Sequence, residues 1–144
     1  MYNAILTAHH YIAFLALIFL LLATVNGFMG TRTEKIFEES NRKVNAFALI
    51  FTHIMLLLGI ILLVISPVAS QAFADMGSAM KDSAIRKMVI EHPFTNIIAV
   101  ILATIGNAKS KKAVGHGRKF KVSFIFFGLA LVLILSRLPY ERLF

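Results

Sequence analysis

Five histidines carry the chemistry that can be read from this chain: His9, His10, His53, His92 and His116. Imidazole titrates near neutrality and is the commonest metal ligand among side chains. All but His116 fall within or at the edge of long apolar runs, where an idle ionisable group is costly and a functional one is the default expectation. Two imidazoles facing each other across a helix bundle can ligate a haem iron from both sides, which leaves no open coordination position and suits electron transfer. His53 serves as a second-choice ligand or a contact for a quinone. His116 stands between Gly115 and Gly117 in a basic stretch, and a Gly-His-Gly triplet does not by itself make a metal site.

Other chemistries are excluded or unsupported. There is no Cys, which removes disulfides, thiolate metal sites, iron–sulfur clusters and covalent c-type haem attachment. No HExxH, Walker loop or GxSxG occurs. A membrane-embedded enzyme or small transporter using His53 and Glu91 as proton-active groups lacks a paired catalytic constellation, so an electron carrier or complex subunit is favoured over a stand-alone enzyme.

The element that must position His92 is residues 88–106, MVIEHPFTNIIAVILATIG. Pro93 suits the first turn of a helix, where its missing N–H costs nothing. From His92, helical spacing brings Thr95, Asn96, Ala99, Ala103 and Gly106 onto one face, while Ile97, Ile98, Val100, Ile101 and Leu102 fall elsewhere. A helix that is fatty outside and small and polar inside belongs in a membrane bundle.

Composition agrees. Hydrophobic residues make up 58% of the 144 and charged residues 15%, against a usual apolar share of roughly 45–50% in soluble domains. Four spans are expected, at about residues 4–25, 44–66, 89–106 and 122–138, forming one domain over residues 1–144. The fold is all-α: an integral membrane four-helix up-and-down bundle. Residues 26–43 read as a polar loop with room for a short helix. Residues 70–90 form the longest connection, and residues 78–90 show an amphipathic pattern that would rest on the membrane surface before running into the third span. In the second span Asn45, Thr52, Gly59 and Ser66 recur every seven residues as a small, polar seam, and Pro67 ends it.

Fifteen Lys and Arg against seven Asp and Glu give a net charge of +8. The basic residues sit in short loops beside apolar runs, so topology and lipid contact explain them, and nucleic-acid binding is not expected. The first and third loops hold ten of the fifteen, and residues 107–121 hold six with no acidic residue. The positive-inside rule places these loops in the cytoplasm and both termini on the opposite, outer side of the membrane.

That topology sorts the histidines by depth. His9 or His10 on the first helix and His92 at the outer entrance of the third lie at one level on diagonal helices. The face shared by His9 is the smaller, though the choice between His9 and His10 stays open. Arg137, on the same side, suits a haem propionate or an interface anchor. Glu91 suits an acceptor that orients His92, or a favourable charge at a helix start. His53 lies toward the other side, and helix rise separates it from His116 by roughly 15–20 Å in depth.

These residues resemble a family of small four-helix bacterial inner-membrane proteins labelled cytochrome b or cytochrome b-like. The resemblance runs through a histidine followed by an aromatic in the first helix (His9 or His10 with Phe14), FTHIMLLLGIILLVISP around His53, EHPFTNIIAVILATIGNAKSKKA around Glu91 and His92, and the closing FKVSFIFFGLALVLILSRLPYERLF. It implies haem b held by histidines between helices: His92, His53 and one of His9 and His10. The expected function is therefore a b-type haem protein with a bis-histidine haem near the outer face, exchanging electrons with a membrane carrier such as quinone, alone or within a larger respiratory complex. The alternative is a cofactor-free accessory subunit of a larger membrane complex, packing through the seam of Asn45, Thr52, Gly59 and Ser66.

Overall fold

The computed structural model describes residues 1–140. Residues 141–144, with Arg142 and the Leu-Phe ending, lie outside the described residues. Four helices are long and apolar enough to cross a membrane. They are α1 (Tyr2–Thr31), α2 (Glu39–Ile65), the continuous run 83–112 that ends in α6, and α7. Between α2 and α6 come α3 (Pro67–Ala74), α4 (Met76–Lys81), α5 (Ser83–Arg86) and a π-helical turn over Lys87–Glu91, followed by α6 (His92–Lys112) and α7 (His116–Ser136). The chain runs up and down, with α1 packed on α2 and α7, α7 on α6, and α6 less closely on α2. That order puts α1 and α6 on the diagonal.

The bundle core is built mainly from small side chains. Ala16, Ala23, Ala48, Ala99, Ala103 and Ala130 are fully buried with Leu20 and Phe127. Large aliphatic residues point outward instead: Val64 is 76% exposed and Val132 63%. This is the reverse of a soluble bundle and the arrangement lipid favours, since hydrocarbon does not reward hiding Leu and Ile and helices associate by close packing. Helices α1 and α7 approach closely: a Cβ added at Gly27 would stand 2.5 Å from the backbone nitrogen of Phe124. Hydroxyls inside the spans return their protons to their own helix: Thr24 to Leu20 O at 2.7 Å, Thr104 to Val100 O at 2.7 Å and Thr52 to Ala48 O at 2.9 Å. With no water to bond, this is how a polar side chain is tolerated at depth.

Several boundaries differ from the sequence reading. Helix α1 continues to Thr31, because Asn26–Thr31 carries Gly27 and Gly30 against Phe124 and Phe120 of α7, so the first loop is short. Helix α7 begins at His116, six residues before the expected span, and stops at Ser136, which leaves Arg137 as its C-cap. Pro67 does end α2, but it also opens α3 as its N1 residue, with the Ser66 hydroxyl accepting from Ala69 N–H at 3.3 Å. The stretch 67–81 is therefore helical and folded on itself: Ala69, Ala72, Ala79 and Val89 form a second buried cluster with Leu63, Ile85 and Met88. Phe73, Met76 and Met80 stay exposed on its outside. The stretch 78–90, expected as one amphipathic surface helix, is divided at Asp82: α4 ends at Lys81, and α5 and the π-turn continue into α6 as part of the third apolar helix.

The seam of the second span turns inward. Asn45, Thr52 and Ser66 are buried, and Gly59 lies against His9 of α1. The seam therefore serves contacts within the chain.

Substituting Gly27→Ala should lower stability by about 1–3 kcal/mol through overpacking against the α7 backbone. Gly117→Ala, with nothing within 4 Å of the added methyl, should be neutral or stabilise by up to about 1 kcal/mol. Equilibrium unfolding in mixed micelles measures both, and equal values for the two would contradict the close α1–α7 contact.

Candidate functional site

The site is built by three backbone features that place imidazoles. On α1, His9 points across the bundle, with its Nδ1 3.1 Å from the carbonyl oxygen of Met55 on α2. In a helix, a side chain covers the turn before it, so residue 59 would normally shield the carbonyl of residue 55. Here residue 59 is glycine, and a Cβ added there would stand 3.3 Å from His9 Cε1. Gly59 thus opens the Met55 carbonyl to a second donor.

His92 is placed by a helix that changes pitch. Within the continuous run 83–112, Pro93 has no N–H to give and its ring crowds the preceding turn. The turn before it widens to a π-helix, and the His92 N–H bonds to Lys87 O, five residues back. Such π-turns re-aim the side chains that follow. The His92 ring reaches the end of α7, where its Nδ1 lies 2.9 Å from Arg137 O. That carbonyl is one that the helix end leaves unclaimed, so His92 caps α7.

A carbonyl can only accept, so a neutral ring bonded in this way carries its proton on Nδ1 and keeps the Nε2 lone pair; His92 Nδ1 also lies 3.2 Å from the Asn96 amide nitrogen, a competing donor. Metal-ligating histidines generally have this arrangement, with one nitrogen anchored on a backbone carbonyl and the other free to coordinate. The His9 and His92 ring centroids are 6.4 Å apart, with planes at 77°. Two metal–nitrogen bonds of about 2 Å each and the reach from ring centre to nitrogen add up to roughly 6 Å, the scale of both the His9–His92 and the His9–His10 separations. His10 flanks the pair, its ring centroid 6.2 Å from that of His9.

A cavity of about 190 Å³ adjoins the three histidines. Its walls are mostly apolar, with Ala13, Leu17, Met55, Gly59 and Ile134 among them. Asn96, 3% exposed, also lines it. Its Nδ2 donates to His92 O at 2.7 Å, and its Oδ1 is buried without a partner. A buried orphan acceptor asks for a donor such as an ordered water or a ligand hydroxyl. Apolar walls would suit a porphyrin face, with His9 and His92 as the residues that would hold its metal. Among the described residues no three His, Cys, Asp or Glu converge.

Glu91 and Arg137 act together at the mouth of this site. Glu91 accepts from Arg86 Nε at 2.9 Å and pairs with Arg137 Nε at 3.1 Å. It makes no bond to the His92 ring. Its effect is indirect: by holding Arg137 it fixes the end of α7, whose carbonyl anchors His92. The Arg137 guanidinium, expected to suit a propionate, is engaged with Glu91.

The other two histidines lie elsewhere. His53 is exposed on the outer face of α2, with Nδ1 2.8 Å from Leu49 O of its own helix. It is not brought to the cavity. His116 accepts from Phe37 N–H at 3.0 Å and ties the third loop to the first. Sequence reasoning missed Gly59, the Met55 and Arg137 carbonyls and the π-turn. The His9 contact with Gly59 had one visible signal, the seven-residue recurrence of small residues in α2.

Gly59→Val should cost about 1–3 kcal/mol by forcing His9 off the Met55 carbonyl. In a His9→Ala background most of that cost should vanish, giving a coupling of about 1 kcal/mol or more in a double-mutant cycle. Additive costs would mean that Gly59 does not serve His9.

Comparison of the chain with family models, with curated proteins and with solved structures finds no match.

Proposed function

We propose that this chain is a membrane-embedded b-type haem protein, with His9 and His92 as the two axial ligands. One observation carries the reading: two imidazoles from diagonal helices lie 6.4 Å apart, each anchored at Nδ1 by a backbone carbonyl. When bound, the haem supplies one-electron chemistry. The residues of this chain do the rest. Met55 O and Arg137 O fix the tautomer of each ring and raise the basicity of its Nε2. Ala13, Gly59 and Leu17 give an apolar wall that excludes water. Glu91 holds Arg137, and through it His92. A haem held by both imidazoles would serve electron transfer.

The redox partner that suits this setting is a quinone, which is lipid-soluble and can reach the mouth from the bilayer. His53, on the lipid-facing side of α2, is not within reach of the same cavity. We place the histidine end on the periplasmic side of a bacterial inner membrane, because the opposite end carries the basic loops. The alternative, a cofactor-free accessory subunit of a larger complex, drew on the α2 seam. That seam faces inward within the bundle, so no observation favours this alternative.

His92→Ala and His9→Ala proteins, purified with adequate haem supply, should each lose most of their haem by pyridine-hemochrome assay. His53→Ala and His116→Ala should retain the wild-type ratio. Full retention in His92→Ala would overturn the ligand assignment.

A further inference from the structure

The end of the bundle opposite the histidines holds a second cavity, of about 230 Å³, of a different kind. It lies between the start of α2 and the end of α6, the two neighbouring spans that pack least closely. Its lining is about half polar, with Asn45, Asn107, Ser110, Lys111 and Lys119 among the contributors. Three of these are deeply buried: Asn45 at 4% exposed, Asn107 at 7% and Ser110 at 2%.

Asn45 and Ser110 are accounted for. Asn45 Nδ2 donates to Ser123 Oγ at 2.8 Å, and Ser110 Oγ lies 3.1 Å from the same hydroxyl. Lys119 Nζ donates to Lys111 O at 3.0 Å and Ser110 O at 3.3 Å, so its ammonium caps the end of α6 beside the cavity. That leaves it one further proton to donate. Asn107 is 7% exposed, has no side-chain hydrogen bond among the described residues and lines the cavity. Its amide is open to the cavity, where water or a ligand can bond it.

The charge indicates the sign of that ligand. Glu39 is matched by Arg42, whose Nε donates to Glu39 Oε2 at 2.7 Å. Glu38 remains the one uncompensated carboxylate of the lining, against the two ammonium groups of Lys111 and Lys119. Around them the stretch 107–121 holds six basic residues and no acidic one. A concave, basic, amide-bearing pocket between membrane helices at headgroup level suits the phosphate of a lipid.

We propose that this cavity binds the phosphodiester of an anionic phospholipid headgroup, held by the Asn107 amide and the Lys111 and Lys119 ammonium groups, with the acyl chains leaving through the gap between α2 and α6. The site is independent of any haem at the other end.

Native mass spectrometry of the full chain in detergent tests this, with phosphatidylglycerol, phosphatidylcholine or inorganic phosphate added. Wild-type protein should retain one phosphatidylglycerol per chain, about five-fold more than phosphatidylcholine, the scale expected of an interfacial lysine contact. Lys111→Ala should lose about that factor, and Lys111→Ala combined with Asn107→Leu should lose the preference. Lys112→Ala removes the same charge outside the cavity and should bind as wild type. Helical circular dichroism identifies a misfolded double variant, in which case Lys111→Ala alone decides. Equal retention in Lys111→Ala and wild type, or an equal loss in Lys112→Ala, would overturn the site. Displacement of the lipid by millimolar inorganic phosphate would overturn the lipid assignment in favour of a free anion.

Discussion

The arrangement depends on one constraint: inside hydrocarbon, a polar group must find its partner within the protein. An imidazole in a span has two nitrogens to satisfy. His9 and His92 each settle one of them on a backbone carbonyl that is open for a particular reason. At Met55 the reason is the glycine four residues on. At Arg137 it is the end of α7. Once Nδ1 is fixed in this way, Nε2 is the free nitrogen, and the two rings lie across the diagonal of the bundle. The small core residues follow from the same setting, because the four helices must approach closely to bring diagonal side chains within reach.

The two ends of the bundle then divide the work. The histidine end combines apolar walls with a few fixed polar atoms, and Ala69 of α3 with Met88 and Val89 of the π-turn line its cavity. Its ion pairs, Arg86–Glu91–Arg137, connect α5 to the anchor of His92, so that segment and the ring are parts of one mechanical unit. The basic end has the opposite character, with buried amide and hydroxyl side chains beside lysine ammonium groups. His116 belongs to this second end, where it ties two loops together, and has no part in the first.

Much of this was legible in the sequence. Four spans follow from apolar run lengths, and the facing of His92 with Asn96, Ala99 and Ala103 follows from a 3.6-residue period. The juxtaposition of a first-helix histidine with His92 follows from alternating direction and equal depth. The rest was hidden for physical reasons. Pro93 reads as a helix start, and although the pattern over 78–90 runs into the third span, no residue type marks the widened turn that joins them. Ser66-Pro67 reads as a stop, yet the same pair caps the next helix. The Met55 and Arg137 carbonyls belong to the backbone, so no residue type marks them. Glu91 could be suspected near His92, but its action through Arg137 needs the position of the end of α7.

The central claim is that the paired imidazoles hold a haem. The most direct test is a dithionite-reduced minus air-oxidised visible spectrum of the purified full chain, produced with adequate haem supply. A sharp α-band of b type, at a stoichiometry of one haem per chain, is the result this account predicts. A flat difference spectrum from folded, haem-supplied protein would contradict it.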